Sequence, residues 1–389
     1  MAADAQTVLA HARAAVDRYL LELAEIVDVD SGTRDKAGVD RAGSFLARLL
    51  AGIGCELRSF PNTELGDNFT ATLRGDGERR VALLGHFDTV FPRGTVAERH
   101  FTISERRAYG PGVLDMKGGL ILGYHAMRIL GEIARGAFAE LVFVANGDEE
   151  VGSPSSRGLI EAEARRADAV LVLEPGREPG SVLATRKGVG MYEVEIFGRA
   201  AHAGAAPEEG ASAVLELAHK IIALHALNDP TSGTTVSANL ARGGTARNVI
   251  PADARASVDL RVTTPEEAAR VDAAIHEIGR QARVPGTRTD ISGGLNRPPM
   301  VPRAGTQPLL ERARELDRQL GLEFAALGSG GGSDGNFTAA LGVPTLDGLG
   351  PVGRNAHSVD EYIELDSIPA RLALLTGLIL GVPLRPGRA

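Results

Sequence analysis

The sequence contains a single cysteine, Cys55, and this scarcity limits the chemistry that the chain can support. One cysteine can form neither an intramolecular disulfide nor a cysteine-based zinc site. Any metal must therefore be held by histidine, aspartate and glutamate side chains.

Long hydrophobic runs are also missing. No apolar stretch reaches the roughly 20 residues that a membrane-spanning helix needs, because Gly, Pro or charged residues interrupt each candidate. The N-terminal stretch lacks the basic start, uninterrupted apolar block and cleavage site of a secretory leader. We therefore expect a cytoplasmic protein that begins with a helix.

Positive charge is not in excess. The formal net charge is -8, which gives no reason to expect nucleic acid or an anionic membrane as a partner. Hydrophobic residues make up 43% and charged residues 24%, as is typical of soluble globular proteins. A chain of 389 residues is expected to form two domains. The charge leaves a small-molecule substrate compatible with the sequence.

Most of the chain alternates helical patterns with short apolar runs. Apolar residues recur at helical spacing in 7–28, and apolar runs at 81–84, 141–145 and 169–173 alternate with further helical stretches. This alternation is typical of an α/β fold, a mostly parallel sheet with helices on both faces. The turn GDGERR, between runs at 68–73 and 81–84, predicts a hairpin, so the sheet should not be purely parallel.

The pattern changes after about residue 186. Segments at 191–197, 234–241 and 254–262 alternate apolar with polar or charged residues, and amphipathic helices are expected at 211–227 and 265–281. Such alternation predicts a sheet with one covered face, and hence a smaller α+β domain inserted into the first. The predicted domains are a catalytic domain formed by 1–186 and 297–389, and an inserted domain formed by 187–296.

Histidines and carboxylates stand at the ends of several apolar runs and in the turns between them. Because the carboxyl ends of parallel strands meet at one edge of a sheet, we expect these side chains to converge. The residues concerned are His86, Asp88, Asp115, Glu149, Glu150, Glu174 and His357. Histidine and carboxylate ligands without sulfur suit zinc, or cobalt or manganese. A shared aspartate with one histidine and one glutamate on each side would build a two-metal site.

Each of these residues also has an ordinary structural interpretation. A pair such as His86 and Asp88 at a strand end often forms only a loop hydrogen bond, and an aspartate such as Asp115 before a helix often caps it. The paired glutamates can form a solvated acidic turn. Glu174 differs, because a lone carboxylate at the end of a buried strand is costly without a nearby cation. The joint pattern favours the metal site.

The motifs GHFDTV, GPGVLDMKGG, NGDEEVGS, LEP and AHSVDEYI occur in the order and approximate spacing of a known family. By these motifs the chain resembles the co-catalytic zinc aminoacylase/carboxypeptidase family, which includes carboxypeptidase G, peptidase T and succinyl-diaminopimelate desuccinylase. The resemblance covers nearly the whole chain. GRAAHAGAAPEEG, ARNVIPADA and GSGGGSDGNF are most similar to its glutamate carboxypeptidase branch.

The resemblance implies a ligand set for two zinc ions. Asp115 would bridge them, with His86 and Glu174 completing one site and Glu150 and His357 the other. The peptide bond that follows the bridging aspartate is cis in the family, so we expect a cis bond after Asp115.

The resemblance also implies the catalytic residues. Glu149 would be the general base, and Asp88 would orient the imidazole of His86. The nucleophile would be a water molecule that bridges the two metals.

Substrate-binding residues are implied in the same way. His202 would stabilise the oxyanion from the partner subunit, and Asn248 and Arg261 would hold the substrate. Arg297 is a further and weaker candidate, for an acidic substrate side chain, which the resemblance does not itself imply. Glycine amides around Gly331 would approach the substrate carboxylate. The alternative for His202 is an exposed loop histidine, and the alternative for the glycine-rich segment is a flexible loop. It is not a phosphate loop, because GK[ST] is missing.

We therefore expect a di-zinc hydrolase that cleaves an amide bond and releases a C-terminal amino acid, with glutamate as the candidate, from an N-acyl amino acid or short peptide. The alternatives are an N-acyl-amino-acid aminoacylase with another side-chain preference, and a non-catalytic dimeric binding module. The resemblance implies a homodimer joined through the inserted domain, which would also act as a lid.

Overall fold

The structure is a computed structural model that describes residues 4–385. The helices are α1 (Ala5–Ala14), α2 (Val16–Val27), α3 (Lys36–Gly52), α4 (Thr95–Glu98), α5 (Gly118–Ile133), α6 (Arg157–Arg166), α7 (Ala213–His225), α8 (Pro265–Arg280), α9 (Gln307–Leu320), α10 (Gly335–Ala340) and α11 (Ile368–Gly381). The strands are β1 (Glu56–Phe60), β2 (Asn68–Arg74), β3 (Arg80–His86), β4 (Thr102–Ser104), β5 (Arg107–Tyr109), β6 (Glu140–Asn146), β7 (Ala169–Val172), β8 (Ser181–Arg186), β9 (Gly188–Phe197), β10 (Ala201–His202), β11 (Thr235–Gly243), β12 (Val249–Ile250), β13 (Asp253–Val262), β14 (Arg288–Arg297), β15 (Ala325–Ser329), β16 (Thr345–Leu346), β17 (Gly353–Arg354) and β18 (Tyr362–Glu364). Within residues 4–385, no helix has both the length and the apolar character needed to cross a membrane.

Two compact units make up the chain. The first comprises the described parts of Met1–Thr185, Pro302–Gly328 and Ser333–Ala389, and the second comprises Arg186–Val301 and Ser329–Gly332. The inserted domain expected at 187–296 lies inside the second unit. The short segment Ser329–Gly332 joins this unit by backbone pairing, since the N–H of Lys187 donates to the carbonyl of Ser329 (3.0 Å).

The first unit is built around a six-stranded sheet with the strand order β1-β2-β6-β3-β7-β16. β3 runs parallel to both β6 and β7, and β16 runs parallel to β7. β1 and β2 are antiparallel to their neighbours. The predicted α/β class is confirmed, and the sheet is mixed as expected.

Both faces of this sheet are buried, because alternate residues of each strand belong to different cores. Leu83 and Phe143 pack in a core that includes residues of α5 and α11, whereas Leu84 and Val144 pack with Ile160 of α6. Successive side chains of a strand point to opposite faces, so a doubly covered strand needs an uninterrupted apolar run. Helices therefore cover both faces, as the apolar runs predicted.

The hairpin predicted at the GDGERR turn is wrong. β6 lies between β2 and β3, so the two strands that the turn joins are not neighbours. The turn instead bonds to the segment that leads into β6, since the N–H groups of Gly75 and Gly77 donate to the carbonyls of Ala139 and Phe138 (3.0 and 2.8 Å). β6 is buried along its whole length. A position between two strands satisfies its backbone on both sides, and local turn chemistry carries no information about that.

The second unit contains a four-stranded antiparallel sheet with the order β11-β13-β9-β14. β9 alternates buried and exposed residues, and its buried side chains pack against α7 and α8, so one face of the sheet is covered. β14 was not predicted from the sequence. Gly293 and Gly294, both with positive φ, interrupt its alternation of apolar and polar residues.

Candidate metal centre

The carboxyl ends of β3, β6 and β7 lie side by side at one edge of the central sheet. His86 is the last residue of β3 and pairs with Asn146, the last residue of β6. Glu149 and Glu150 belong to the turn that follows β6, and Glu174 follows β7. The parallel register brings these carboxylates and the imidazole to the same edge.

Asp115 lies in a sharp turn between β5 and α5. The peptide bond between Asp115 and Met116 is cis, which confirms the expectation from the resemblance. The two carboxylate oxygens face different imidazoles: Oδ1 is 3.2 Å from Nε2 of His86, and Oδ2 is 3.1 Å from Nε2 of His357. A carboxylate placed in this way can bridge two cations.

Each imidazole also has a glutamate of its own. Oε1 of Glu174 lies 3.7 Å from Nε2 of His86, and Oε2 of Glu150 lies 3.4 Å from Nε2 of His357. Ligand atoms of His86, Asp115 and Glu150 all lie within 4.8 Å of one another. The structure therefore brings together all five predicted ligands, and their division between two metals stays a prediction.

The half of the cluster formed by Glu150 and His357 has the charge to bind a divalent cation. Oε1 of Glu150 is buried without a hydrogen-bond partner, although an unpaired carboxylate oxygen is costly there. Burial raises the pKa of Glu150. Hydrogen bonds to Asp115 and Glu150 raise the pKa of His357 to about 11. A metal ion would replace the proton that these carboxylates otherwise draw onto the imidazole.

The carboxylates around His86 also favour a positive charge at this position. Burial lowers its pKa, but the hydrogen bonds and charges of the surrounding carboxylates outweigh burial and raise the pKa well above its usual value. These carboxylates belong to Asp115, Asp88, Glu174 and Glu149. A donor set of nitrogen and oxygen without sulfur suits zinc, cobalt or manganese.

Asp88 is fully buried and contacts both His86 and the turn of the two glutamates. Nδ1 of His86 lies 3.3 Å from the Asp88 carboxylate and 3.0 Å from its backbone carbonyl, which directs Nε2 toward the site. The Asp88 carboxylate also accepts from the backbone N–H groups of Glu149 and Glu150 (both 3.2 Å). The hydroxyl of Thr33, which the sequence pattern does not single out, donates to the same carboxylate (2.7 Å). Asp88 therefore orients both an imidazole and the turn of the two glutamates.

Glu361 is a second residue that the sequence pattern misses, although it lies in the motif AHSVDEYI with His357. Its buried carboxylate accepts from the backbone N–H groups of Gly112, Leu114 and Asp115 (2.9, 2.8 and 2.9 Å). Burial raises the pKa of Glu361 to about 7. By accepting three donors from one turn, Glu361 fixes the backbone that presents Asp115.

Changing Glu361 to glutamine should weaken the binding of a divalent metal by about 10- to 100-fold, the range seen for residues that orient metal ligands. The amide keeps the size and one acceptor, but its NH₂ group would face a backbone N–H donor. Competition with a chromogenic chelator measures the affinity, with Glu25→Gln on the exposed face of α2 as the matched control. A zinc affinity equal to that of the unchanged protein would mean that Glu361 supports the fold only.

The segment that carries Glu174 is held by a buried arginine, Arg371 on α11. The guanidinium donates to the carbonyls of Gly350, Pro179 and Ser181 (2.9, 3.0 and 2.6 Å), and burial lowers its pKa to about 10. The N–H of Gly350 donates to the carbonyl of Glu174 (2.8 Å). Arg371 is thereby linked to a candidate ligand far away in the sequence.

Four of the five predicted substrate-binding residues lie on strands of the second unit or next to them, and three of these are His202, Asn248 and Arg261. His202 belongs to β10, which pairs with β12, and the N–H of Ala203 donates to the carbonyl of Asn248 (2.9 Å). His202 and Asn248 are therefore neighbours. Arg261 on β13 forms an ion pair with Asp259 (2.8 Å).

Arg297 and Gly331 are the other two predicted residues, and both belong to the same unit. Arg297, at the end of β14, is buried, and its Nη1 donates to the side chain of Asn296 (2.9 Å). The N–H of Gly331 donates to the hydroxyl of Ser329 (3.1 Å). The roles of all five residues in substrate binding stay predictions.

The chain is similar to a family of peptidases over most of its length. Residues 82–381 match the peptidase family M20/M25/M40. Carboxypeptidase G2 from Pseudomonas sp. (strain RS-16) is 31% identical over 366 residues, which cover 92% of this chain and 88% of that protein. Succinyl-diaminopimelate desuccinylase from Leptothrix cholodnii is 27% identical over 372 residues, which cover 88% of this chain and 93% of that protein.

Solved structures share the fold. Aminopeptidase PepT from Bacillus cereus superposes with a TM-score of 0.76 at 24% identity, covering 94% of this chain and 98% of that one. An M20 family metallo-carboxypeptidase from Sulfolobus solfataricus gives a TM-score of 0.73 at 18% identity, with the same coverage of 94% and 98%. At these identities the likeness concerns the fold.

Proposed function

This chain belongs to the peptidase family M20/M25/M40, a family of metal-dependent hydrolases, and we propose that it releases a C-terminal amino acid from N-acyl or peptidyl substrates. We further propose that it holds two zinc ions. The observation that carries this proposal is the shared carboxylate of Asp115 between two imidazoles, each with a glutamate of its own.

Two divalent metals, once bound, would supply Lewis-acid polarisation of an amide carbonyl and of a water molecule. Glu149 is the general base in this proposal: its carboxylate takes a proton from the attacking water and delivers it to the leaving nitrogen. The C–N bond breaks, and the products are a carboxylic acid and a free amino acid. Asp88 supports this role because it accepts from the backbone N–H of Glu149 (3.2 Å) and so fixes the turn.

The second unit would bind the substrate. We propose that His202 donates to the oxyanion, and that Asn248 and Gly331 hold the substrate by hydrogen bonds. The guanidinium of Arg261 has the shape to bind a free carboxylate in two places, and Arg297 would recognise an acidic side chain.

The function is tested by supplying metal-stripped protein with N-acyl-glutamate, N-acyl-leucine, N-acyl-glutamine and folate-like substrates, with and without zinc. Release of free glutamate only with zinc would support the carboxypeptidase proposal. Turnover that favours leucine or glutamine would identify an aminoacylase with another preference. Stoichiometric zinc binding without turnover of any amide would leave a non-catalytic binding module.

A homodimer through the second unit is supported by an exposed apolar surface. On α7, Leu215, Ala218 and Ile222 lie three and four residues apart and so share one helix face, and Leu215 and Ile222 are 52% and 70% exposed. α7 packs beside β11, an edge strand that carries Leu240 with 69% exposure. A dimer with two-fold symmetry would bury this same patch on both subunits.

Changing Ile222 to glutamate should therefore convert the dimer to a monomer. If His202 acts in the partner's site, kcat should fall by about 10²-fold, the usual cost of losing an oxyanion donor. Light scattering during gel filtration gives the oligomeric state, and Leu57→Glu, an exposed leucine of the first unit, is the control. A monomeric variant with full activity would remove the trans role of His202.

A further inference from the structure

A pocket of about 400 Å³ lies between α2, α3 and α5 of the first unit. Four arginines line it: Arg18, Arg48, Arg128 and Arg135. Among the described residues that line the pocket, Glu132 alone is acidic. Because the whole chain carries a formal net charge of -8, this pocket is opposite in sign to the protein as a whole.

The ends of two helices explain only part of this positive charge. α3 ends at Gly52, which lines the pocket, and Arg135 follows the end of α5. A helix C-terminus attracts cations near its last turn, and Nε of Arg135 donates to the carbonyl of Gly131 (3.1 Å). Arg18 and Arg128 lie outside the last turns of α2 and α5, so the helix ends do not account for them.

Arg18 is fixed in the wall of the pocket. Its Nε pairs with Glu22 (2.8 Å), and its Nη2 donates to the hydroxyl of Tyr124 (3.2 Å). A guanidinium has five N–H donors, and these contacts use two of them. The side chain is 56% exposed, so a ligand can reach the group.

The charge of Arg128 is compensated only in part. Nη1 donates to Glu132 (3.2 Å), whose side chain is 53% exposed, and Nη2 donates to Nδ1 of His125 (3.3 Å). Burial lowers the pKa of His125, so this acceptor is a neutral imidazole that removes no charge. Nε of Arg128 is buried and has no hydrogen-bond partner among the described residues. A guanidinium in this position favours a further anion nearby.

Arg48 adds a third oriented cation. It is exposed, and its guanidinium lies 5.6 Å from the centre of the Phe45 ring. A cation–π contact of this kind orients the group without neutralising its charge. Because the arginines are already held by their neighbours, little side-chain entropy is lost when a ligand binds.

We propose that this pocket binds a small anion with at least two negative charges, a phosphate monoester or a polycarboxylate. The fork of a guanidinium matches the oxygens of phosphate and carboxylate groups. The volume lies within the range of about 300 to 1,000 Å³ that small-molecule sites occupy. Leu49, Ile53 and Tyr124 also line the pocket, so an anion with an aliphatic or aromatic body suits it better than inorganic phosphate.

This pocket is separate from the candidate metal centre. α5 begins at Gly118, three residues after Asp115, and Arg128 lies ten residues further on. At the rise of an α-helix, that distance is about 15 Å. The pocket residues have no part in the proposed catalysis, so the inference does not rest on the proposed function.

The unchanged protein supplies the first test. Phenyl phosphate, tricarballylate and the monovalent benzoate are titrated by calorimetry at constant ionic strength, into zinc-loaded and into metal-stripped protein. We expect one site per chain for phenyl phosphate or tricarballylate, with an affinity that zinc does not change and that exceeds the affinity for benzoate by at least about 10-fold. The tighter of the two identifies a phosphate or a carboxylate ligand.

Two results would overturn the proposal at this stage. Binding that disappears when the metal is removed would place the anion at the metal centre. Heats no larger than those of benzoate for both multivalent anions would mean that the arginines form no site.

A variant locates the bound anion. Arg48→Glu reverses one charge of the pocket and should lower the affinity for the tighter anion by at least about 10-fold. Arg58→Glu on β1 is the matched control, because Arg58 is also exposed and lies 4.8 Å from the centre of an aromatic ring, that of Phe60. The control should bind the anion as the unchanged protein does.

Circular dichroism and thermal unfolding check the fold of both variants. If Arg48→Glu does not fold, Arg48→Ala removes the charge without reversing it and should lower the same affinity. A folded Arg48 variant that binds the anion as tightly as the unchanged protein would overturn the assignment to this pocket.

Discussion

Glutamine in place of Glu149 is expected to lower kcat by at least about 10²-fold, the usual contribution of general acid–base catalysis. The amide matches the carboxylate in size but cannot take a proton from the attacking water. KM should change less than kcat, because the proposed role is in proton transfer and not in binding. Zinc content should be retained, because the five candidate ligands are unchanged.

Three measurements check this prediction. Saturation kinetics give kcat and KM, elemental analysis gives the zinc content, and Glu64→Gln, an exposed glutamate of the same unit, serves as the control. The acid limb of the pH dependence of kcat, which reports the base in the enzyme–substrate complex, should disappear from the residual activity. A variant that keeps both metals and works within a few-fold of the original rate would refute the assignment of Glu149.

Removing Asp115 and removing His357 should have different effects on metal binding. Asp115 faces both imidazoles, whereas His357 contacts only one half of the cluster. Asp115→Asn should therefore lower the affinity for both metals. Each affinity should fall by more than about 10²-fold, the largest loss expected when only an orienting residue is removed. His357→Ala should weaken one metal and leave the half built from His86 and Glu174 in place.

Zinc stoichiometry and stepwise affinities distinguish the two variants. We expect fewer than one bound zinc in Asp115→Asn and about one in His357→Ala at a zinc concentration that saturates the unchanged protein. Both variants should lose activity, since the proposed reaction needs the complete cluster. Asp17→Asn, on the exposed face of α2, controls for the loss of a charge. Two bound metals in Asp115→Asn would show that this carboxylate does not bridge them.

Much of the candidate site follows from local sequence. An apolar run that ends in a histidine or a carboxylate marks both a buried strand and its carboxyl end, so one segment predicts the strand and a candidate ligand together. His86 and Glu174 were predicted on this ground, and the structure places them 3.7 Å apart. The cis bond after Asp115 followed from the resemblance of the surrounding motif and is present.

Residues that orient the ligands gave no such signal. Glu361 lies 246 positions from Asp115 along the chain, and Arg371 acts on the carbonyl of Gly350 next to Glu174. Thr33 reaches Asp88 across 55 positions. Each is an ordinary residue of its own segment, and its role appears only from what the fold brings against it.

The sequence by itself predicted the α/β class, most of the long helices and strands, and the histidines and carboxylates that converge at one edge of the sheet, because hydrophobic periodicity and strand-end residues are properties of short segments. Only the tertiary structure decided that β6 separates β2 from β3 and which turn Glu361 supports. Strand pairing and long-range hydrogen bonds depend on burying every face and satisfying every backbone group at once. No single segment contains that requirement, so it is met only when the whole chain packs.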